Sequence, residues 1–435
     1  MKKIFQAVEG VSNIELFYDL IFVYCISVIT SLMHHVHDGF FDLNTWLVFT
    51  FSYLVVLQVW FFTTFLLNRY GDRSASDNVC LFISMFLLYF LANGIQDDWE
   101  NAAFTFNIAW ALILANLLVH WTIKRMRYTN LDDDDKHIMN ATIATLGVQL
   151  VVCVIAALLD GTASIIVSWV ALIFGVGVFT QMRSYRRKTS RFGHLVERCA
   201  LLTIVAFGET IVAIATFMTD VEGFVYPIFV FALVVGLFLI YIYEHDNMLD
   251  HHKETDGMAY LTLTGWIIFI IGNLTVALEY MPMEEVAFLP KSLMLTICLI
   301  AYLLTSFLMG LFNKPQYHYS IGFILGRIGT CVLIAAVAFF TDFDPFINLI
   351  ADTALVYFAL WHEWLLYHGR TQMVAFCRSL GYTDEEIIED GSLTSFETRQ
   401  NIRKAARQAR AGEFGVIEDA LSQISHHETP DDTEQ

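Results

Sequence analysis

The sequence predicts an all-α, polytopic integral membrane protein of about 12 transmembrane helices, and three observations carry that prediction. The first is composition: 435 residues with 56% hydrophobic, only 16% charged and a mean hydropathy of +0.55. A soluble domain carries about 25% charged residues, and a single core stops growing near ~250–300 residues, so an oversized soluble core does not explain the shortfall. The second is the recurrence of apolar runs of about 20 residues, the length that crosses ~30 Å of hydrocarbon. The third is an alternation of basic and acidic connecting loops. The same composition excludes a disordered chain, a coiled coil and a nucleic-acid binder, and it requires a lipid bilayer as partner.

In order, the predicted spans are 14–33, 45–67, 78–95, 103–123, 138–159, 162–182, 196–218, 224–244, 258–279, 291–312, 320–341 and 345–368. Pro227, Pro282, Pro290, Pro315 and Pro345 fall at or near span ends, which predicts continuous helices rather than the broken helices of some transporters. Of the 25 Lys and Arg residues, 23 fall at the N-terminus, in alternate loops or in the C-terminal segment. The opposite loops hold Lys291 alone, and Arg327 lies within a span. The positive-inside rule then predicts that both termini are cytoplasmic. Most span starts repeat at an offset near 182 residues, helix 4 straying furthest, which suggests two six-helix halves related by an axis along the membrane normal. The expected organisation is a first half over 1–182, a basic connection over 183–195, a second half over 196–370 and a cytoplasmic polar tail over 371–435.

Charged residues inside spans are the candidates for function, because a charge at mid-membrane costs at least ~2.5 kcal/mol. Helix 1 places Glu15 and Asp19 four residues apart on one face. These acids either face protein or a hydrated cavity, or simply complement the N-terminal dipole of their helix. Helix 7 carries His194-Leu-Val-Glu197-Arg198 at its start and Gly208-Glu209 deeper in, Glu209 lying about 18 Å from Glu197 at 1.5 Å per residue. Glu209 is expected to be paired or protonated, with Gly208 admitting a neighbouring helix. Arg198 is the natural partner for Glu15 or Asp19 if helices 1 and 7 face each other. Arg327 and Asp352 are a second candidate pair. Asn93, Asn107, Asn116, His120, Gln149 and Asn273 read as interhelical hydrogen-bonding groups.

Two histidine-rich stretches, His34-His35-His37-Asp38 and Glu244-His245-Asp246 with Asp250-His251-His252, lack the fixed spacing of a metal site. No cofactor, metal or enzymatic motif is expected: the chain has no phosphate loop, nucleophile elbow or zincin signature.

Together, Glu15-Leu-Phe-Tyr-Asp-Leu-Ile-Phe-Val23, the stretch from Trp60 to Asp77 with Asn68-Arg69-Tyr70, and His194-Leu-Val-Glu-Arg198 followed by Phe207-Gly-Glu-Thr-Ile-Val212 resemble the bacterial low-temperature-requirement A (LtrA) family. The resemblance implies a multi-pass protein of the bacterial plasma membrane associated with growth in the cold, and it implies no biochemical activity. The charge, aromatic and Asp at the start of helix 1 are also similar to the six-plus-six-helix potassium channels of lysosomes and bacteria, with Tyr18 where those carry Ser. Gly71-Asp72-Arg73 resembles a fragment of the major-facilitator loop signature, without the basic residues that follow it there.

Two functions fit these residues. One is a transporter or channel in which Glu15, Asp19, Glu197, Arg198 and Glu209 line a pathway for protons, cations or a small solute. The other is a non-transport scaffold or cold-adaptation factor whose charges only hold helices together. A homo-oligomer is compatible with either. The formal net charge of −19 divides between the tail from Thr371, with 13 acids and six bases, and the expected outer loops, with 13 acids against Lys291. That outer face either concentrates cations at an entrance or is what remains once topology excludes Lys and Arg from it.

Overall fold

The computed structural model describes residues 11–379 apart from 35, 37–38, 96–98, 129–130, 182–190, 219–224, 315–316 and 318. Twelve helices in this range are long and apolar enough to cross a membrane. They are α1 (Asn13–Ser31), α2 (Leu43–Tyr70), α3 (Ala75–Asn93), α4 (Trp99–Arg127), α5 (Asp133–Ala157), α6 (Gly161–Gln181), α7 (Phe192–Met218), α8 (Val225–Tyr243), α9 (Met258–Tyr280), α10 (Phe288–Met309), α11 (Ile321–Phe340) and α12 (Pro345–Ser379).

Local chemistry sets the ends. The Ser12 hydroxyl caps α1 by accepting from Glu15 N at 3.2 Å, the Asp42 carboxylate caps α2 by accepting from Asn44 N at 3.0 Å, and Ser320 caps α11 through Phe323 N at 3.2 Å. Asp133, Asp134 and Asp135 occupy the first turn of α5, and Lys124, Arg125 and Arg127 the last turn of α4, each sign matching the helix dipole. Most observed ends lie within a few residues of the predicted ones. The largest departure is α12, which runs on to Ser379, past the predicted limit at 368. A π-helical turn, Glu244–Met248, follows α8 and was not foreseen.

Burial separates the twelve. In α2 and α9 78% of the span is inside the protein, against 28% in α6, so α2 and α9 form the centre and α6 lies at the periphery. Around them, α1 packs on α3 and α7, and α7 packs on α9. The chain forms two compact units. Of the described residues, one contains those up to Asn313 and Tyr319–Trp361; the other contains Lys314, Tyr317 and those from His362 to Ser379. Within the second unit the rings of Trp364 and His368 stack at 4.4 Å. The predicted polar tail lies outside the described residues beyond Ser379.

Several of the polar residues read as interhelical groups are that. Gln149 Nε2 of α5 donates to Gln58 Oε1 of α2 at 2.8 Å, and Gln58 Nε2 donates to Leu172 O of α6 at 3.4 Å. Asn116 Nδ2 of α4 donates to Cys80 O and Ser84 Oγ of α3, each at 2.8 Å. Ser168 Oγ of α6 donates to Asn107 Oδ1 of α4 at 2.9 Å. The Gln58–Gln149 pair fits because α6 has Gly175 beside it: a Cβ there would lie 2.6 Å from the Gln149 amide atoms and would strike Gln58 Nε2. Gly175→Ala is therefore expected to destabilise the protein by about 1–3 kcal/mol through overpacking and loss of the amide pair. Thermal unfolding of the purified variant tests this, and an unchanged midpoint would refute the close-packing argument.

Candidate functional site

A buried ion pair lies where α1, α2 and α7 meet. Arg198 Nη2 of α7 donates to Asp19 Oδ1 of α1 at 2.6 Å, and Trp60 Nε1 of α2 donates to the same oxygen at 2.8 Å. The Arg198 guanidinium lies 5.8 Å from the Trp60 ring centroid, so the indole both donates to the acid and offers its face to the base. Asp19 is 2% exposed and Arg198 0%. Asp19 Oδ2 and Arg198 Nε and Nη1 have no hydrogen-bond partner among the described residues. Beside the pair, Tyr18 shares a hydrogen bond with Thr63 of α2 at 3.0 Å.

One turn nearer the start of α1, Glu15 Oε2 pairs with His194 Nε2 at 3.3 Å, and Asn68 Nδ2 of α2 donates to Arg191 O at 2.9 Å. Glu15 thus occupies the first turn of its helix and also has a partner across the bundle. At the opposite end of the helices a further contact bridges distant parts of the chain: His34 Nε2 lies 2.9 Å from Glu279 Oε2 of α9. Near it, the Tyr280 hydroxyl donates to Met33 O, and Ala287 N donates to Gly39 O at 2.8 Å. Glu279, counted among the acids of the outer loops by sequence, is 2% exposed and belongs to this contact.

A separate network closes the ends of α3 and α4. Lys124 Nζ, whose side chain is 0% exposed, reaches Asp72 Oδ1 and Asp77 Oδ1, each at 2.6 Å, and His120 Nε2 reaches Asp77 Oδ1 at 2.9 Å. Next to it, Arg69 Nη2 pairs with Asp135 Oδ1 at 3.1 Å, and the Tyr70 hydroxyl donates to that oxygen at 3.0 Å. Asp72 of the Gly71-Asp72-Arg73 motif is accordingly an anchor for α4.

The family model described as Bacterial low temperature requirement A protein (LtrA) matches residues 10–365, a range that takes in α1 through most of α12. The chain belongs to the LtrA family. No curated protein and no solved structure matches it. The LtrA match and the twelve apolar helices together establish a multi-pass membrane protein.

Of the residues singled out by sequence in this LtrA chain, the structure brings Glu15, Asp19 and Arg198 together and leaves Glu197 and Glu209 apart from them. Glu197 is exposed on α7, one residue round the helix from buried Arg198. Glu209 is half-buried on α7. The next residue, Thr210, shares a 2.7 Å hydrogen bond with Thr275 of α9. Gly208 was expected to admit a close helix, but a Cβ there would meet nothing within 4 Å.

The expected Arg327–Asp352 pair is corrected. Arg327 Nη2 pairs instead with Glu244 Oε1 in the π-helical turn at 3.1 Å. Arg327 and Asp352 each lie about 10 Å in from the start of their helices, at 1.5 Å per residue, and α11 and α12 start on opposite sides. Across ~30 Å of hydrocarbon that leaves a gap in depth that neither side chain spans.

Sequence reasoning missed His194 and Trp60 as partners of the α1 acids, and it missed Lys124, Asp77 and Glu279 as members of buried contacts. Trp60 and Lys124 carried the weak signal of a polar atom or charge within or beside an apolar run. For Glu279, classed as a loop acid, there was no local signal.

Proposed function

We propose that this LtrA protein is a non-enzymatic transporter or channel of the bacterial plasma membrane. It moves protons, cations or a small solute through a pathway that includes Glu15, Asp19 and Arg198, with Glu209 deeper along α7. The observation that carries this reading is the Asp19–Arg198 pair, which joins the first predicted half to the second while Asp19 Oδ2 and Arg198 Nε and Nη1 stay without partners. Intramembrane ionisable groups mark ion and proton pathways, and groups with unsatisfied atoms are the ones a passing ion or solute can engage. The inner contact through Glu15 and His194 and the far contact through His34 and Glu279 bracket this centre, an arrangement suited to opening one side at a time. The two six-helix halves and cytoplasmic termini of the sequence reading belong to this proposal. The family description, a low-temperature requirement, adds a physiological setting in which such a step is needed in the cold.

The second reading is a scaffold or cold-adaptation factor in which the pair only locks α1 to α7. It is favoured by the complete burial of Arg198.

Flux separates the two. The protein is reconstituted in liposomes, and proton and potassium movement are followed under imposed gradients for the parent, Asp19→Asn and Glu209→Gln. The transport reading expects flux in the parent and a loss of at least tenfold in Asp19→Asn. Absence of flux under any gradient, from protein shown to be folded, would sink it in favour of the scaffold.

A further inference from the structure

Asp352 is a buried acid of α12. It is 1% exposed, and neither carboxylate oxygen has a hydrogen-bond partner among the described residues. Asn348, one turn earlier on the same face of α12, is 0% exposed; its Oδ1 accepts from Thr341 Oγ1 at 2.6 Å, and its Nδ2 is also without a partner. Two fully buried polar side chains on adjacent turns therefore leave three polar atoms unsatisfied.

Among the described residues, no basic side chain is paired with Asp352. Helix α8 lies against it, since Thr353 Oγ1 approaches Phe229 O at 3.4 Å and a Cβ on Gly236 would lie 2.9 Å from Val356 Cγ1. From Val225 to Tyr243, α8 contains no Asp, Glu, Lys, Arg or His. Arg327 of α11 is held by Glu244 at 3.1 Å, and Lys291 Nζ of α10 donates to Met281 O at 3.1 Å and Met283 O at 2.9 Å. Asp344, which precedes α12, accepts from Phe346 N and Ile347 N as its cap.

An ionised carboxylate in such a place accepts from no donor and pairs with no basic side chain among the described residues. Burial of an unpaired charge is relieved by taking up a proton, which turns the group into a neutral acid with one donor and one acceptor. The geometry assigns to Asp352 a proton-binding site on the side of the bundle where α12 begins, with Asn348 as the neighbouring polar group. A proton from water adds to one carboxylate oxygen to give the neutral acid, and its return to water restores the carboxylate. Asp352 sits about 10 Å from the start of α12 and Asp19 about 9 Å from the start of α1, on opposite sides of the bilayer midplane. As a step in transport the assignment rests on the transport reading above and makes the proton the coupling ion. As a binding site it stands without that reading.

Two measurements on the full-length protein in detergent micelles test it. Infrared spectroscopy at neutral pH resolves the C=O stretch of a neutral carboxylic acid, which an ionised carboxylate lacks. The parent is expected to show this band, and Asp352→Asn, checked for folding by gel filtration, to lose one carboxyl's share of it. An unchanged band overturns the assignment. The second measurement needs no variant: dicyclohexylcarbodiimide modifies protonated carboxyls in apolar surroundings, and peptide mass spectrometry is expected to place an adduct on Asp352 at the same rate in sodium, potassium or choline chloride. Protection by sodium or potassium alone would make this a metal-cation site and overturn the proton assignment. Loss of flux with the infrared difference intact would remove the transport reading and leave the site standing.

Discussion

Arg198→Met is expected to lower the stability of the folded protein by about 3–5 kcal/mol, because it leaves the Asp19 carboxylate buried without a compensating charge. Asp19 would retain only the Trp60 donor, at 2.8 Å, in a place 2% exposed. The double variant Asp19→Leu/Arg198→Met is expected to recover most of that loss, since replacing both members of a buried pair with apolar groups of similar volume is often neutral. Thermal unfolding in detergent measures stability, and the reconstituted double variant supplies the functional test. Restored stability with lost flux assigns the pair to the pathway. Restored stability with unchanged flux would reduce it to a structural clasp, and a single variant as stable as the parent would contradict the buried pair itself.

Lys124→Met is expected to have an effect of similar size, about 3–5 kcal/mol, for the same physical reason. The ammonium is 0% exposed and lies 2.6 Å from both Asp72 and Asp77, so its removal strands Asp77 with His120 as sole charge partner. Arg127 provides the control. It also touches Asp72, at 3.1 Å, but its side chain is 51% exposed, and Arg127→Met is expected to cost less than ~1 kcal/mol. Comparable losses in the two variants would show that proximity to Asp72, rather than burial, sets the energy.

The helices were legible because crossing a bilayer is a local requirement: about 20 apolar residues, with backbone hydrogen bonds satisfied inside the segment. The pairing of Asp19 with Arg198 was legible as one of two options, since only a few intramembrane charges compete for each other. The site's other members were harder to find. His194 and Trp60 are ordinary components of a basic helix start and an apolar helix until α1 is set against them. Glu197 shows the limit from the other side: it adjoins Arg198 in sequence but is exposed, because one residue along a helix is a rotation of about 100°.

The sequence by itself determined the number, order and approximate ends of the membrane-crossing helices, the split of basic and acidic connections, and the residues able to carry charge into the bilayer. Only the tertiary structure decided which charges meet. It gave Arg327 to Glu244 in an unforeseen π-helical turn, buried Glu279 against His34, and left both Asp352 oxygens without a hydrogen-bond partner among the described residues. Apolar length is set along the chain, whereas an ion pair inside a bundle depends on the depth and rotation of two helices, which packing against all the others fixes.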